Sequence, residues 1–515
     1  MRQYILLLLI GFGITLTSCR NDFDFESSKG GLSFSKDTVY LDTVFTAIGS
    51  STYTLKVYNK SNKNISIPSL KLRKGLASKY RLMVDGVAGQ VFQNVEMLAK
   101  DSMYIFVSVT AEVADSNPTD FLYTDQILFG EGTNEQKVEL VTLIQDAYFI
   151  YPGRIQNPDN SYTYDSLNLG LDADGNPISI RGRFLEEANA ANGNELNWTN
   201  TKPYVVYGYA AVPPNKTLVV DAGARIHFHA ESGLIVANNA SLQINGTSSS
   251  TASLENEVIF EGDRLEPNFS EAPGQWGTIW LTQGSTNNSI SNLTIKNATV
   301  GLLVTGNDGT STPTYINNTQ IYNCSNVGIL ARTGSIEGKN VVINSCGQAA
   351  FAGSFGGSYE FTHCTFANYW SSPNQTAVLL DDYDGDALYT LTKADFKNCI
   401  IYGSSNLGIN LKKKGTTFSY NFENCLIKFI DIGNQFGTNP LYQFSGSNFV
   451  NCLIASSSNV NKPIFKNPSR NELIIGENSV AKGTANATYS TFSDILNKPR
   501  NGDTDIGAYN WITFD

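Results

Sequence analysis

The chain has 515 residues, a formal net charge of -11 and only 16% charged residues. A chain of this length exceeds one ordinary hydrophobic core, so two or three domains are expected. The few charged residues and the abundant Gly, Asn, Ser and Thr disfavour long surface helices and favour an all-β protein rich in turns. The acidic balance excludes nucleic acid as a partner, because no basic stripe offsets phosphate, and it argues against a direct grip on polyanionic sugars.

Residues 1–18 have the parts of a secretory signal peptide. Arg2 supplies the positive charge and residues 5–16 form the apolar run. This run is too short for a transmembrane helix, which needs about 20 apolar residues. It ends in Leu16-Thr17-Ser18-Cys19, which resembles the lipobox of bacterial lipoproteins. The resemblance implies that Cys19 carries acyl chains such as palmitate and tethers the mature chain to a membrane. An ordinary signal peptide with a chance cysteine is the alternative.

Residues 19–30 form a tether in which acidic residues follow the cysteine closely, at Asp22, Asp24 and Glu26. This arrangement resembles the surface-export signal of Bacteroidetes lipoproteins. It implies an outer-membrane protein that is lipid-anchored and exposed at the cell surface. A plain solvated tether explains the same charges, so a periplasmic orientation stays open.

Residues 31–148 predict a β-sandwich. Short strands with alternating apolar residues are separated by turn clusters, at 54–58, 65–67, 103–109, 125–129 and 136–143. Their number and the domain size resemble the immunoglobulin-like (Ig-like) modules of bacterial surface proteins. The Cys-Trp-Cys hallmark of antibody domains does not occur in the segment.

From residue 217 onward the chain repeats an apolar-x-x-Cys element. Its copies are Ile295-Lys-Asn-Ala298, Ile321-Tyr-Asn-Cys324, Ile343-Asn-Ser-Cys346, Phe361-Thr-His-Cys364, Phe396-Lys-Asn-Cys399, Phe422-Glu-Asn-Cys425 and Phe449-Val-Asn-Cys452. The last positions are 26, 22, 18, 35, 26 and 27 residues apart. A repeat of this length with short strands and no helical periodicity predicts a solenoid of stacked strands.

The repeat also predicts what its residues do. Asn tolerates left-handed backbone values at a corner, and a small Cys behaves as a buried apolar group. We therefore expect the six cysteines after Cys19 to form an internal column of free thiols. The pattern resembles right-handed parallel β-helix proteins over 217–515, with 149–216 as the N-terminal cap or connector and a short helix at 183–191. Residues 478–483 and 505–509 resemble the closing elements of the C-terminal cap.

Two segments contain residue types that suit enzymatic chemistry. Residues 381–386, with four Asp, could hold calcium, and the lysines at 412–414 could supply a base for a polysaccharide lyase acting on uronate-containing glycans. A solvated loop and an exposed turn explain them equally well. The sequence favours no catalytic residue, no metal site and no cofactor.

The best binding signal is aromatic. Strand alternation directs six side chains outward: Arg225, His227 and His229 from one strand, and Trp276, Thr278 and Trp280 from another. Two outward indoles on one strand suit stacking on a sugar or a partner protein, unless a neighbouring loop or the N-terminal domain covers them. We therefore expect a non-enzymatic surface lipoprotein whose β-helix binds a glycan or an envelope protein on this surface. A lyase or other carbohydrate-active enzyme is the alternative.

Overall fold

The computed structural model describes residues 24–117, 121–171, 176–306, 312–372, 374–500 and 504–514. Cys19 and the predicted signal peptide lie outside them. The chain divides into two compact units, with the boundary between Asp146 and Ala147. Within the described ranges, no helix has the length and apolarity needed to cross a bilayer.

The first unit is built from two sheets that share one core. The six-stranded sheet contains Glu26–Ser27, Thr38–Phe45, Ile65–Leu72, Val91–Met97, Leu122–Phe129 and Gln136–Gln145. The five-stranded sheet contains Ser33–Phe34, Tyr53–Tyr58, Tyr80–Val84, Val87–Gly89 and Ser102–Val109. Alternate residues of both sheets, such as Leu41, Val57, Ile105 and Leu140, are fully buried together. Short 3-10 helices occur at Gly75–Ala77, Val113–Asp115 and Gly132–Asn134.

The second unit is a solenoid with three long sheets, here called A, B and C. Sheet A contains Tyr148–Ile150, Tyr204–Val206, Arg225–Phe228, Val258–Gly262, Leu293–Lys296, Gln320–Cys324, Val342–Cys346, Thr365–Asn368, Ile400–Gly403, Leu426–Lys428 and Leu453–Ala455. Sheet B contains Ser166–Leu171, Pro177–Phe184, Tyr209–Val212, Gly233–Val236, Ile279–Leu281, Val300–Thr305, Val327–Arg332, Ala349–Ser354, Thr376–Asp381 and Ile409–Lys412. Sheet C contains Asn197–Trp198, Thr217–Asp221, Ser241–Asn245, Ser289–Ser291, Thr314–Asn317, Ser335–Lys339, Gly357–Thr362, Leu391–Lys397, Asn421–Glu423 and Phe449–Val450.

The chain visits sheets A, B and C in turn, so one strand of each makes one rung. All strand pairs in these sheets are parallel except the pair of Ser166–Leu171 with Pro177–Phe184. The all-β, parallel-sheet repeat expected from the sequence is therefore present. Strands from Tyr148 onward already belong to its sheets, which places the first rungs well before residue 217.

The short helix expected at 183–191 does not form. A sheet B strand runs to Phe184, and turns follow it. Arg183 makes a two-point ion pair with Glu195, at 2.6 and 2.7 Å between nitrogen and oxygen atoms. Glu195 is buried and also accepts a hydrogen bond from the Glu186 backbone N–H at 3.0 Å. These contacts fold the segment back on itself and override its helical composition.

The Cys-containing repeat occupies two corners of the solenoid instead of one. Cys324 and Cys346 end sheet A strands and are paired in register, at the corner between sheets A and B. Cys364, Cys399, Cys425 and Cys452 lie between sheet C and sheet A strands. All six are free, and all except Cys452 are buried. The spacing of 18 residues between Cys346 and Cys364 marks the switch from one corner to the other. The prediction of free thiols is confirmed, and the prediction of one column is wrong.

The residue before each of these Cys positions has a left-handed backbone, as the sequence predicted. Its φ is 63° at Asn297 and 57° at Asn323 for one corner, and 54° at Asn398 and 50° at Asn424 for the other. His363 takes the same place with φ of 51°. Asn tolerates this conformation better than most residues, which explains its recurrence.

The two corners also differ in the apolar residue that opens each repeat. Ile295, Ile321 and Ile343 stack in register in sheet A. In sheet C, phenylalanines stack instead, with ring centroids 4.9 Å apart for Phe396 and Phe422 and 5.3 Å for Phe422 and Phe449. The thiols of Cys425 and Cys452 donate to the carbonyl oxygens of the phenylalanines one rung earlier, at 3.2 Å. Each column therefore ties neighbouring rungs together.

The C-terminal segment covers a flank of the solenoid. Residues 465–512 contain the antiparallel pair Phe465–Asn467 and Glu472–Ile475 and the 3-10 helices Pro468–Arg470 and Ala487–Tyr489. Their Leu473, Ile495, Ala508 and Tyr509 pack on outward residues of sheet A. The expected closing elements at 478–483 and 505–509 thus lie along the side of the rod.

A different segment fills the core beside the last rungs. Leu441, within the 3-10 helix Pro440–Tyr442, and Phe436 and Phe444, before and after this helix, pack against the solenoid core. The Tyr442 hydroxyl accepts a hydrogen bond from the Leu411 backbone N–H at 2.8 Å. The remaining short elements are the pairs Arg154–Gln156 with Tyr162–Tyr164 and Tyr383–Asp384 with Ala387–Leu388, and the 3-10 helix Pro267–Phe269.

Candidate functional site

A cleft of about 510 Å³ follows the corner between sheets A and B in the first rungs. We call it the corner groove. Its walls come from five successive strands or their corners: Ser179–Arg181 from the first, Tyr207–Tyr209 from the second, His229–Glu231 from the third, Gly277 and Thr278 from the fourth, and Thr299 and Val300 from the fifth. Since neighbouring strands lie about 4.8 Å apart, the groove is roughly 19 Å long.

An aromatic pair forms the middle of the groove. The ring of Tyr207 stacks on the imidazole of His229, with centroids 4.4 Å apart and an angle of 28°. His229 Nδ1 is 2.7 Å from Asp263 Oδ2, which fixes the orientation of the ring. Burial raises the pKa of Tyr207 to about 12, so its hydroxyl stays protonated and can donate a hydrogen bond. The pair offers an apolar face together with polar edges.

Charged and hydroxyl groups surround this pair. The guanidinium of Arg181 lies 3.8 Å from the centre of the Tyr164 ring, which holds it at the groove. Glu231 and the hydroxyl residues Thr278 and Thr299 also line the groove. The groove therefore combines hydrogen-bond donors and acceptors with flat apolar surface, as sugar-binding sites do.

Close packing under the groove requires a glycine. A Cβ on Gly277 would lie 2.1 Å from the Tyr209 hydroxyl oxygen and 2.9 Å from the Ser232 carbonyl oxygen. Tyr209 is buried, and burial raises the pKa of its hydroxyl. Gly277 thus allows the floor of the groove to form.

A second cleft of about 390 Å³ lies further along the outer face of sheet B. Trp280 is one of its walls, in register with Ile235 of the preceding strand. The indole Nε1 donates a hydrogen bond to Thr305 Oγ1 at 2.9 Å. Leu167 and Leu169, from the antiparallel strand Ser166–Leu171, pack over this part of the sheet. Trp280 therefore points outward, as predicted, and is partly covered.

The outward orientation predicted for Trp276 is wrong. Its side chain is 1% exposed and stacks on Phe228 inside the core, with centroids 4.4 Å apart. Its indole Nε1 donates to the Lys296 carbonyl oxygen at 2.8 Å. Strand alternation does not extend to Trp276, because the sheet B strand begins only at Ile279 and a corner lies between them.

Arg225 and His227 belong to sheet A and face away from the groove lining. The Arg225 guanidinium donates to backbone carbonyl oxygens of the 246–257 loop, including Glu257 at 2.7 Å and Leu254 at 2.6 Å. His227 is buried, its Nδ1 lies 3.2 Å from the Gly262 carbonyl oxygen, and burial lowers its pKa. The expected single surface of six residues therefore divides. His229 and Thr278 line the corner groove, and Trp280 lines the second cleft.

Sequence reasoning missed Arg181, Tyr207 and Glu231. They precede the first recognised repeat or lie at a corner, where strand alternation does not apply. The sequence signal for this part of the site is the pair of aromatic residues in Tyr207-Gly-Tyr209. These residues lie within 149–216, which the sequence predicted to be a cap or connector, whereas the structure has strands of the long sheets there.

The acidic segment 381–386 and the lysine segment 412–414, which the sequence offers as candidates for a lyase, contain residues with local structural roles. Asp382 is buried, and its two carboxylate oxygens accept hydrogen bonds from the backbone N–H groups of Lys414 and Gly415 at 2.7 and 2.9 Å. Asp381 Oδ1 accepts from the Phe355 backbone N–H at 2.8 Å, and burial raises the pKa of this carboxyl. The described residues contain no group of three His, Cys, Asp or Glu arranged to hold a metal ion.

Comparison with known proteins adds little. No protein-family model matches the chain. No curated protein matches it either. Among solved structures, the crystal structure of the periplasmic chaperone SfaE is similar at 11% identity, over 30% of this chain and 84% of that chain. Its TM-score is 0.14, which is too low to support any inference.

Proposed function

We propose that this chain is a non-enzymatic surface lipoprotein whose solenoid binds a glycan in the corner groove. The observation that supports this proposal is the stacked Tyr207–His229 pair, which lies between Arg181 and the hydroxyl groups of Thr278 and Thr299. A sugar ring would place its apolar face on the aromatic pair and its hydroxyls on the polar walls. The groove is long enough for several sugar units, and binding of a linear chain across successive rungs would add weak contacts together.

A glycan suits this groove better than a protein loop for a chemical reason. The groove is a cleft of about 510 Å³ whose lining includes hydroxyl, charged and aromatic groups. A protein interface of standard size needs a broad patch of about 800 Å² per partner. Each aromatic contact with a sugar contributes on the order of 1 kcal/mol, so binding would be weak for one sugar unit and stronger for a polymer.

The binding proposal is tested with a glycan array and the double variant Tyr207→Ala/His229→Ala. We expect the variant to lose capture of the glycans that the unaltered chain binds while staying folded, with its circular-dichroism spectrum unchanged. The matched control is Phe355→Ala/Tyr389→Ala, which removes another stacked pair, with centroids 5.4 Å apart, outside the groove. Equal binding by the groove variant would refute the proposal. Release of unsaturated products from uronate polymers, seen by ultraviolet absorbance, would instead support the lyase alternative.

Membrane anchoring through Cys19 is part of the proposal and rests on the lipobox-like sequence. Cys19→Ala should block palmitate labelling and release the protein from membranes. Continued partition of this variant into detergent would defeat the anchoring proposal. Protease treatment of intact cells tests separately whether the protein lies on the outer face of an outer membrane, as in lipoproteins of the Bacteroidetes type.

We also propose that the solenoid is right-handed and that the first unit is Ig-like. Crossover connections between parallel strands of one sheet are right-handed in about 98% of cases, which supports the first. The two sheets with a shared core support the second. A crystal structure of the chain, read for handedness and strand connectivity, tests both.

A further inference from the structure

The five-stranded sheet of the first unit has an outward face rich in aromatic residues. Tyr104 and Phe106, on the strand Ser102–Val109, are 51% and 40% exposed, and Met83 on the next strand is 43% exposed. Cross-strand pairs place Phe106 beside Met83, and Tyr104 beside Lys56. We call this surface the sheet face. Exposed apolar side chains clustered in this way commonly mark a binding surface.

The aromatic rings of the sheet face contact one another and a neighbouring lysine. The rings of Tyr104 and Phe106 are 24° from parallel, with centroids 6.5 Å apart. The ammonium of Lys56 lies 5.0 Å from the centre of the Tyr104 ring and 5.4 Å from that of Tyr58. Cation–π attraction therefore fixes the lysine between two tyrosines. Little side-chain entropy is left to lose on binding a ligand.

The charge of the sheet face is opposite to that of the chain. Lys56 and Arg81 point outward from their strands, and neither forms an ion pair with a carboxylate in the part of the chain that the structure describes. Apart from Lys56 itself, the outward strand residues paired with them or with Tyr104 and Phe106 are Ser, Thr, Tyr or Met, none of them acidic. In a chain of net charge -11, this face is a local cationic surface.

We propose that the sheet face binds an acidic polysaccharide, independently of the corner groove. Carboxylate or sulfate groups would lie on Lys56 and Arg81, and the sugar rings between them would stack on Tyr104 and Phe106. Hydroxyls of Ser102 and Ser108 border the rings and supply hydrogen bonds to sugar hydroxyls. The overall acidic charge argued against such a ligand, but binding depends on the charge nearest to the ligand because salt screens more distant charges within about 8 Å.

Anionic membrane surfaces and protein partners are the competing occupants. A bilayer favours aromatic side chains that reach past the headgroups, whereas these rings lie on the face of a sheet, beside serine and threonine side chains. A stable protein interface needs a broad, closely packed apolar centre. Here the apolar side chains form a narrow strip bordered by unneutralised cations, which matches the alternating charged and apolar surface of an acidic polysaccharide chain.

The test measures binding of the full-length chain to polygalacturonate and to neutral amylose by affinity electrophoresis. Polygalacturonate should slow the protein, and amylose should not. Tyr104→Ala/Phe106→Ala should weaken binding at least about tenfold, which corresponds to two stacking contacts. Lys56→Glu should abolish it at low salt. The matched control is Tyr40→Ala, an exposed tyrosine on the other sheet with 65% exposure, which should bind as before.

Three outcomes would overturn the inference. One is unchanged binding by Lys56→Glu and by the Tyr104/Phe106 variant, both of which should stay folded because these side chains point outward and are not part of the buried core. Another is equal retardation by amylose. The third is binding to phosphatidylglycerol vesicles without binding to polygalacturonate. If the Tyr207/His229 variant alone loses polygalacturonate, the corner groove is the acidic-glycan site, and the inference fails while the proposed function survives.

Discussion

Two outer faces of the same solenoid differ in whether another part of the chain covers them. The face of sheet A from Gln320–Cys324 to Leu426–Lys428 carries Val342, Ala367 and Ile400, and residues 465–512 bury it. The corner of sheets A and B in the first rungs carries Tyr207, His229 and Arg181, and it stays open as a groove. The covered face also carries outward aromatic residues, Tyr322 and Tyr402, which are buried under the C-terminal segment. An outward aromatic ring therefore does not by itself mark an open face, and what distinguishes the groove is that its aromatic pair lines a cleft.

The two tryptophans of one short segment extend the comparison to an inward and an outward position of the same rung. Trp276→Ala should lower the free energy of unfolding by about 3–5 kcal/mol, because it empties a core position stacked on Phe228. Trp280→Ala, on the outer face, should cost roughly 1 kcal/mol. Urea denaturation of both variants measures the difference. Similar losses of unfolding free energy for both variants would mean that the inward position of Trp276 and the outward position of Trp280 are wrongly assigned.

The covered face contains a buried histidine that should respond to pH. His363 lies between Asn398 Nδ2 at 3.1 Å from Nε2 and the Gly507 carbonyl oxygen at 3.3 Å from Nδ1. Burial, and then the positive charge of Arg500, lower its pKa to about 3. The folded protein therefore keeps this imidazole neutral, whereas the unfolded chain takes up a proton below about pH 6.5.

This contribution is fully present above about pH 6.5 and is lost as the pH falls toward about 3. His363 alone should remove up to about 1.4 kcal/mol of stability per pH unit in that window. His363→Asn, which places Asn where neighbouring rungs have it, should flatten the dependence of urea midpoints on pH. The half-exposed His229→Asn is the control. Buried His227 contributes its own slope in the same direction, so some pH dependence should persist. If the urea midpoint of His363→Asn varied with pH as steeply as that of the unaltered protein, His363 would not be a buried neutral group.

The smallest expected effect concerns the thiols of the two corners. Burial raises the pKa of Cys346, Cys399 and Cys425, so these thiols stay protonated and unreactive. Ellman titration of native protein should detect at most the partly exposed thiol of Cys452. Denaturation without reductant should make the other five thiols reactive. Cys452→Ala should remove the early reaction. Fewer free thiols after denaturation would mean that disulfides form.

The sequence was sufficient for the repeat, the free cysteines and the left-handed residues, because each depends on local chemistry that recurs. The two corners could also have been separated, since one set opens with Ile and the other with Phe. Alternation placed Trp280 correctly and failed for Trp276, because counting outward positions requires knowing where a strand begins. The cover of sheet A was beyond sequence reasoning, since contacts such as Ala508 N–H to Thr365 Oγ1 join residues 143 positions apart.

That separation has a consequence for biosynthesis. Whether the chain emerges from the ribosome or from an export channel, the rungs that contain Tyr322 and Ile400 emerge well before Ile506 and Tyr509, which later shield them. During this interval the incomplete solenoid exposes a row of apolar side chains on the outer face of sheet A. Chaperones bind exposed apolar surface of this kind, and other unfolded chains aggregate with it. A stop codon after residue 462 would make that interval permanent. We expect such a product to accumulate as aggregates even though its rungs are intact.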